Sequence, residues 1–133
     1  MADTLLETAR QFATSLDAGD FAAARAILAD HCVHVISDAT TVIGADAIIE
    51  SFQVKDASAR QRFDEIDYGS HVERTGPASA VVHFIDRLRR GSAWHEYRSR
   101  QFLQFSDSGL IESIVHEELP GELEGLRMFE RGH

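Results

Sequence analysis

Apolar positions recur along this chain with two different periods, and the switch between them divides it. From Thr4 to Ala18, the residues Leu5, Leu6, Ala9, Phe12, Ala13 and Leu16 lie three and four apart, the spacing that lines one side of an α-helix. Thr4 with Glu7 three residues later reads as a capping box, and Gly19 suits a left-handed stop. Asp20 caps a second, shorter helix with Phe21, Ala24 and Leu28 on its buried side. The tight Asp17-Ala18-Gly19-Asp20 link makes these helices a packed pair. β-Branched residues then dominate Val33–Ser37 and Thr40–Ile43, predicting two short strands that turn near Asp38-Ala39. Asp46 caps a third helix carrying Ile48, Ile49 and Phe52, whereas the polar stretch from Gln53 to Gln61 reads as its end and a loop.

From Phe63 onward the pattern is that of strands, roughly Arg62–Arg74, Ser79–Arg90, Ala93–Phe105 and Leu110–Glu118. Thr75-Gly76-Pro77, Gly91-Ser92 and Ser108-Gly109 punctuate them. Pro120-Gly121 stops the last strand, and a short helix from about Glu122 to Phe129 follows. This order predicts one α+β domain over residues 1–133, with N-terminal helices folded onto a curved antiparallel sheet around a pocket.

Composition narrows what such a pocket serves. Apolar residues make up 44% of the 133 positions, enough for a core, and the net charge is −9. That charge disfavours nucleic acid, whose phosphates need a basic footprint, and anionic membrane surfaces. The single cysteine, Cys32, offers neither an internal disulfide nor a Cys-rich zinc pattern. A reducing, cytoplasmic setting is the simplest reading. Acidic and basic residues in the first turns rule against a signal peptide, and no apolar run reaches the ~20 residues of a membrane span.

Three stretches carry a resemblance: the opening LDAGDFAAARAILADHCVHV, the return helix VIGADAIIESF, and FLQFSDSGLIESIVHEEL near the end. With the element order, they resemble the nuclear transport factor 2-like superfamily, in its polyketide-cyclase-like and ketosteroid-isomerase-like branch. The resemblance covers nearly the whole chain. It implies a cone-shaped half barrel with a small-molecule pocket between helices and concave sheet, and a homodimer through the convex face. The superfamily includes isomerases, epoxide hydrolases, cyclases and non-enzymatic dimers, so the resemblance does not choose a chemistry.

Hairpin register indicates which side chains face the pocket. If Gly91-Ser92 is a two-residue turn, Leu88 opposes His95, Asp86 opposes Tyr97 and Phe84 opposes Ser99. If Ser108-Gly109 is another, Gln101 opposes His116 and Leu103 opposes Ile114. Opposed residues share a face. One face therefore holds Phe84, Asp86, His95, Tyr97, Gln101, His116 and Glu118. The other holds His83, Arg87, Trp94, Arg98, Arg100, Phe102, Ile111 and Val115. A bulge in either hairpin would exchange the faces of a strand. The resemblance places a catalytic acid of related enzymes at His116, and an arginine-x-aspartate pair at Phe84-Ile85-Asp86. The chain departs from both motifs, which argues against epoxide hydrolysis by that route. Ile36 stands where the isomerase-like branch places its catalytic aspartate, so steroid-type isomerisation is also doubtful.

Asp86 and His116 are the candidate catalytic pair, a carboxylate orienting an imidazole near neutral pH. Tyr97 could donate to a substrate oxygen. His95, Gln101, His34 and Phe84 complete the candidate substrate-binding set. The competing reading is a polar cluster at the mouth of an empty cone, and for His34 a satisfied core histidine. Asp38 reads as a turn residue and Cys32 as a small buried hydrophobe. No metal site and no cofactor are expected, since no H-x-H or HExxH pattern occurs. The arginines near Trp94 and Phe102 suit a dimer interface. The functional reading is a pocket for a small apolar carbonyl-containing molecule, with acid/base chemistry of isomerase, lyase or cyclase type. The alternative is a non-catalytic ligand-binding or dimerising module.

Overall fold

Asp3 rather than Thr4 caps the first helix. In the computed structural model, which describes residues 3–37 and 40–132, the Asp3 carboxylate accepts from the Leu6 amide at 3.1 Å. Helix α1 then runs Thr4–Ala18 and stops at Gly19, whose φ of 73° is the left-handed conformation the sequence suggested. The elements that follow are α2 (Phe21–Ile27), β1 (Leu28–Ser37), β2 (Thr40–Ile43), α3 (Ala45–Arg62), β3 (Glu65–Gly76), β4 (Ser79–Arg90), β5 (Ala93–Phe105), β6 (Ile111–Glu118) and α4 (Glu122–Gly132). The Asp38-Ala39 turn and His133 lie outside the described residues.

The six strands form one sheet in the order β2-β1-β6-β5-β4-β3. All neighbouring pairs are antiparallel except β1 and β6, which run parallel. The sheet is therefore mixed rather than wholly antiparallel. The excursion through β2, α3 and β3–β5 returns the chain alongside β1 in the same direction, which no hairpin could do. The fold is α+β, and the sheet does not close into a barrel.

Helix α3 continues through the stretch expected to be a loop. Its outer flank is polar because it faces solvent, with an Arg60–Asp56 ion pair one turn apart at 3.1 Å. Its inner side carries Ile48, Ile49, Phe52 and Ala59 against the core. The main core lies between α1–α3 and the sheet, around Phe12, Ile48, Val82, Leu103, Ile111 and Ile114. A smaller cluster of Phe63, Leu88, Leu126 and Phe129 fastens α4 over one end of the sheet.

Ile111 was expected on the outer face, beside Phe102 and Val115. A register shift next to Phe105 pairs Phe105 with Ile111 while Gln104 pairs with Ser113. Glu112 is the extra residue, so Ile111 turns inward and is fully buried. No described helix is long and apolar enough to cross a membrane.

Candidate functional site

Strand pairing decides which side chains share the concave face. Asp86 on β4 stands between two tyrosines, Tyr68 on β3 and Tyr97 on β5. Gln101 and His116 oppose each other across β5 and β6, and Ser99 opposes Glu118. Helices α1 to α4 close over this face and leave a cavity of about 520 Å³. Leu16, Phe21, Phe52, Phe63, Phe84 and Leu88 make much of its wall apolar. Asp86, Tyr97, Gln101, His116 and Glu118 also line it, together with Asp17 and Lys55 from the helices.

The carboxylate that orients His116 is Glu118, not Asp86. The imidazole Nε2 lies 2.9 Å from Glu118 Oε1. The other Glu118 oxygen accepts the hydroxyl proton of Tyr97. Burial opposes ionisation of Glu118, but the Tyr97 hydroxyl and the His116 ring together hold its pKa below the ordinary value. An ionised Glu118 fixes Nε2 as the protonated nitrogen, which leaves Nδ1 as the lone-pair acceptor. That Nδ1 is buried and has no hydrogen-bond partner among the described residues.

Asp86 is attached too far away to take part. Its partner on β5 is Tyr97, four residues from Gln101, the partner of His116. Four residues along a strand and two strand spacings across separate the backbone positions of Asp86 and His116 by roughly 16 Å. Asp86 instead sits apart in an apolar wall. Burial, reinforced by the negative charge of Asp17, pushes its pKa up from 3.8 to about 7. The Asp17 carboxyl is likewise raised by burial, although the Ser70 hydroxyl donates to it at 2.6 Å.

Tyr97 is in the cavity wall, but its proton is committed to Glu118 rather than available to a ligand. Tyr68 is similarly committed, donating to Asp56 at 3.0 Å. Gln101 lines the cavity, with its amide oxygen buried and without a partner among the described residues. Phe84 supplies apolar wall.

Two expected residues are not in the wall. His95 shares the concave face, but α4 covers it: the ring stacks on Phe129 at 5.1 Å, and a Cβ at Gly125 would meet it at 3.6 Å. His34 is fully buried behind the wall, its ring 5.3 Å from Phe52. Neither of its nitrogens has a partner among the described residues, and burial, followed by the charges of Lys55 and His116, lowers its pKa to about 4. His34 is thus a neutral imidazole packed as a core group. Cys32 is buried too, and burial raises its thiol to about 11, which removes it as a nucleophile.

Glu118 and Asp17 are the site residues that sequence reasoning passed over. Glu118 was detectable, since the register puts it on the pocket face two residues from His116. Asp17 carried no such signal, because a helix C-terminus before a glycine explains it without a pocket.

No protein-family model matches the sequence, and no curated protein matches it. Solved structures do. Bal32a, from a soil-derived mobile gene cassette, superposes with a TM-score of 0.76 at 15% identity, over 98% of each chain. An NTF2-like protein of Cytophaga hutchinsonii superposes with a TM-score of 0.65 at 12% identity, over 93% of this chain and 97% of that one. A Mycobacterium tuberculosis protein solved with estradiol-17β-hemisuccinate gives 0.68 at 14% identity, over 91% of this chain and 98% of that one. Polyketide cyclase-like and LEH-like epoxide hydrolase structures also match. Identities this low speak to architecture and not to chemistry. The pairing of strands, the helices over the concave face and these superpositions together show that the chain has the nuclear transport factor 2-like fold.

Proposed function

We propose that the chain binds an elongated, largely apolar carbonyl-containing metabolite and moves a proton on it, by side-chain acid/base catalysis of the isomerase, lyase or cyclase kind. The observation that carries this reading is His116: a half-buried imidazole in a cavity wall, oriented through Nε2 by Glu118, with Nδ1 left unpartnered among the described residues. A neutral imidazole held in one tautomer is a competent base near neutral pH. In this reading a tilt of the ring brings Nδ1, which is covered at rest, to the cavity, where it takes a proton from a carbon next to the carbonyl; the C–H electron pair passes to the carbonyl oxygen as an enolate, and the imidazolium returns the proton to carbon. Asp86, protonated over much of the range below pH 7, donates a hydrogen bond or proton to oxygen at the ligand's other end. The separation of the two groups is what requires an elongated ligand. Gln101 orients the ligand through its amide, Phe84 gives apolar contact, and Tyr97 acts through Glu118. The steroid ester bound by one structural neighbour belongs to this chemical class. The lone buried Cys32 fits a cytoplasmic protein.

The test combines binding and exchange. A thermal-shift screen of steroids, aromatic polyketide mimics and lactones comes first. A ligand at 100 times its dissociation constant stabilises by ~2.7 kcal/mol. Hits are then incubated with the protein in D2O, and NMR follows loss of the protons next to the carbonyl. Protein-dependent exchange is the expected result. Tight binding without exchange would make the chain a non-catalytic binding module, and a screen with no hit would remove the ligand class altogether.

A homodimer through the convex face is the second part of the proposal. Phe102 and Val115, paired across β5 and β6, are 37% and 40% exposed on that face, and Trp94, farther along β5, is 50% exposed. Arg100 and Glu117 pair beside them, as do Arg98 and Glu96. Light scattering is expected to show a dimer that Phe102→Glu converts to monomer. A wild-type monomer at high concentration would refute it.

A further inference from the structure

The convex face carries a second group of functional side chains, on the strand pair farthest from β1 and β2. His71 on β3 and His83 on β4 are directly opposed, and their rings stack with centroids 4.5 Å apart and 17° between planes. Glu73 lies two residues beyond His71, on the same face of the same strand. Its carboxylate reaches His83 Nε2 at 2.9 Å. One ligand atom from each of the three residues falls within 4.8 Å of the others.

We propose that His71, Glu73 and His83 form a binding site for a divalent transition-metal ion, with Zn²⁺ as the representative. Two imidazole nitrogens and one carboxylate oxygen form a donor set that Zn²⁺ takes with a fourth position open to water. Ligand atoms around a tetrahedral Zn²⁺ lie roughly 3.3 Å apart, given bonds of about 2.0–2.1 Å. The in-plane lone pairs of the two stacked rings must also converge on the ion, so metal binding requires the rings to swing out of their near-parallel arrangement. The Glu73 side chain is 62% exposed and that of His83 24%, so an ion can enter and keep a water. Adjacent strands hold the two histidines in register, so the side chains reorient on a fixed backbone. Arg100 opposes His83 on β5, but its charge is taken up by Glu117. The net charge of −9 favours cation approach. The absence of an H-x-H or HExxH pattern pointed away from any metal, because these ligands come from two strands and no local motif records them. Bound metal would cross-link the edge strand β3 to β4, on the side of the sheet opposite the cavity.

Equilibrium dialysis of the full chain against Zn²⁺, with metal analysis, tests this directly. One ion per chain is expected, and the melting temperature should rise with Zn²⁺ and fall back with EDTA. His83→Ala and His71→Ala should each weaken binding by more than about 100-fold, exceeding the 10–100-fold cost typical of outer-shell changes. Glu73→Gln, which keeps the shape and loses the charge, should weaken it roughly 10-fold. His95→Ala and His31→Ala should leave it unchanged. Zn²⁺ binding that survives both His83→Ala and Glu73→Gln would place the ion elsewhere and overturn the proposal, as would no bound Zn²⁺ in the wild type. These outcomes are independent of any ligand for the cavity.

Discussion

At pH 8 the Asp86→Asn variant is expected to melt on the order of 10 °C above the wild type, while near pH 4 the two should melt nearly together. Burial and the Asp17 charge raise the Asp86 pKa from 3.8 to about 7 in the folded protein. Between those values the native state holds a proton that the unfolded chain has lost, so stability falls as pH rises through this window. Below it both states are protonated and nothing is lost. Above it both are ionised, and the full cost of a buried carboxylate is present. The whole shift corresponds to roughly 4 kcal/mol. Water entering the open cavity reduces this, so a gain of roughly 2–4 kcal/mol is expected for the neutral amide. His34 has the opposite slope, since its pKa is depressed by burial and its contribution is lost as pH falls toward 4. It is present in both proteins and cancels in the comparison. Thermal melts from pH 4 to pH 8 read the effect. Equal melting temperatures at pH 8 would mean that water solvates the Asp86 carboxylate well, and would remove it as a proton donor. A gain in stability with a loss of exchange activity is the trade-off expected of a group retained for function.

His116→Ala is expected to lower the rate of ligand proton exchange by about 10²–10⁴-fold, the usual contribution of a positioned general base. The imidazole borders a cavity, so its removal enlarges that cavity instead of opening a void in the sealed core. The variant should stay folded, which a melt confirms. Glu118→Gln should cost less and should change the pH dependence. The neutral amide no longer fixes which ring nitrogen carries the proton, and it no longer stabilises the imidazolium formed when Nδ1 takes one. Tyr97→Phe should follow Glu118→Gln in direction, because Tyr97 acts on the ring only through Glu118. An unchanged rate in His116→Ala would show that the base lies elsewhere in the cavity. An unchanged pH profile in Glu118→Gln, with the rate lost in His116→Ala, would leave His116 as the base and remove Glu118 as its positioning residue.

Much of the framework was set locally, and so it was legible. Helix α1 runs over the span its apolar period marks, and Gly19 ends it because a left-handed backbone is easy only for glycine. The β4–β5 register followed from Gly91-Ser92 between two alternating strands, and it holds from Arg90–Ala93 to Ser79–Gln104. That single turn put Asp86 and Tyr97 opposite each other. Gln101 and His116 also pair as expected, although the connection is longer than a two-residue turn and a bulge at its foot turns Ile111 inward. What the sequence could not decide depended on which element covers which face. Only packing shows that α4 seals His95 under Phe129, that His34 sits behind Phe52, and that α3 continues past Phe52 over the cavity. Only side-chain geometry gives His116 to Glu118 and leaves Asp86 alone. The reason is physical. Periodicity and turn chemistry depend on neighbours a few residues away. The dielectric and partners of a polar side chain depend on atoms brought together from four helices and a folded sheet.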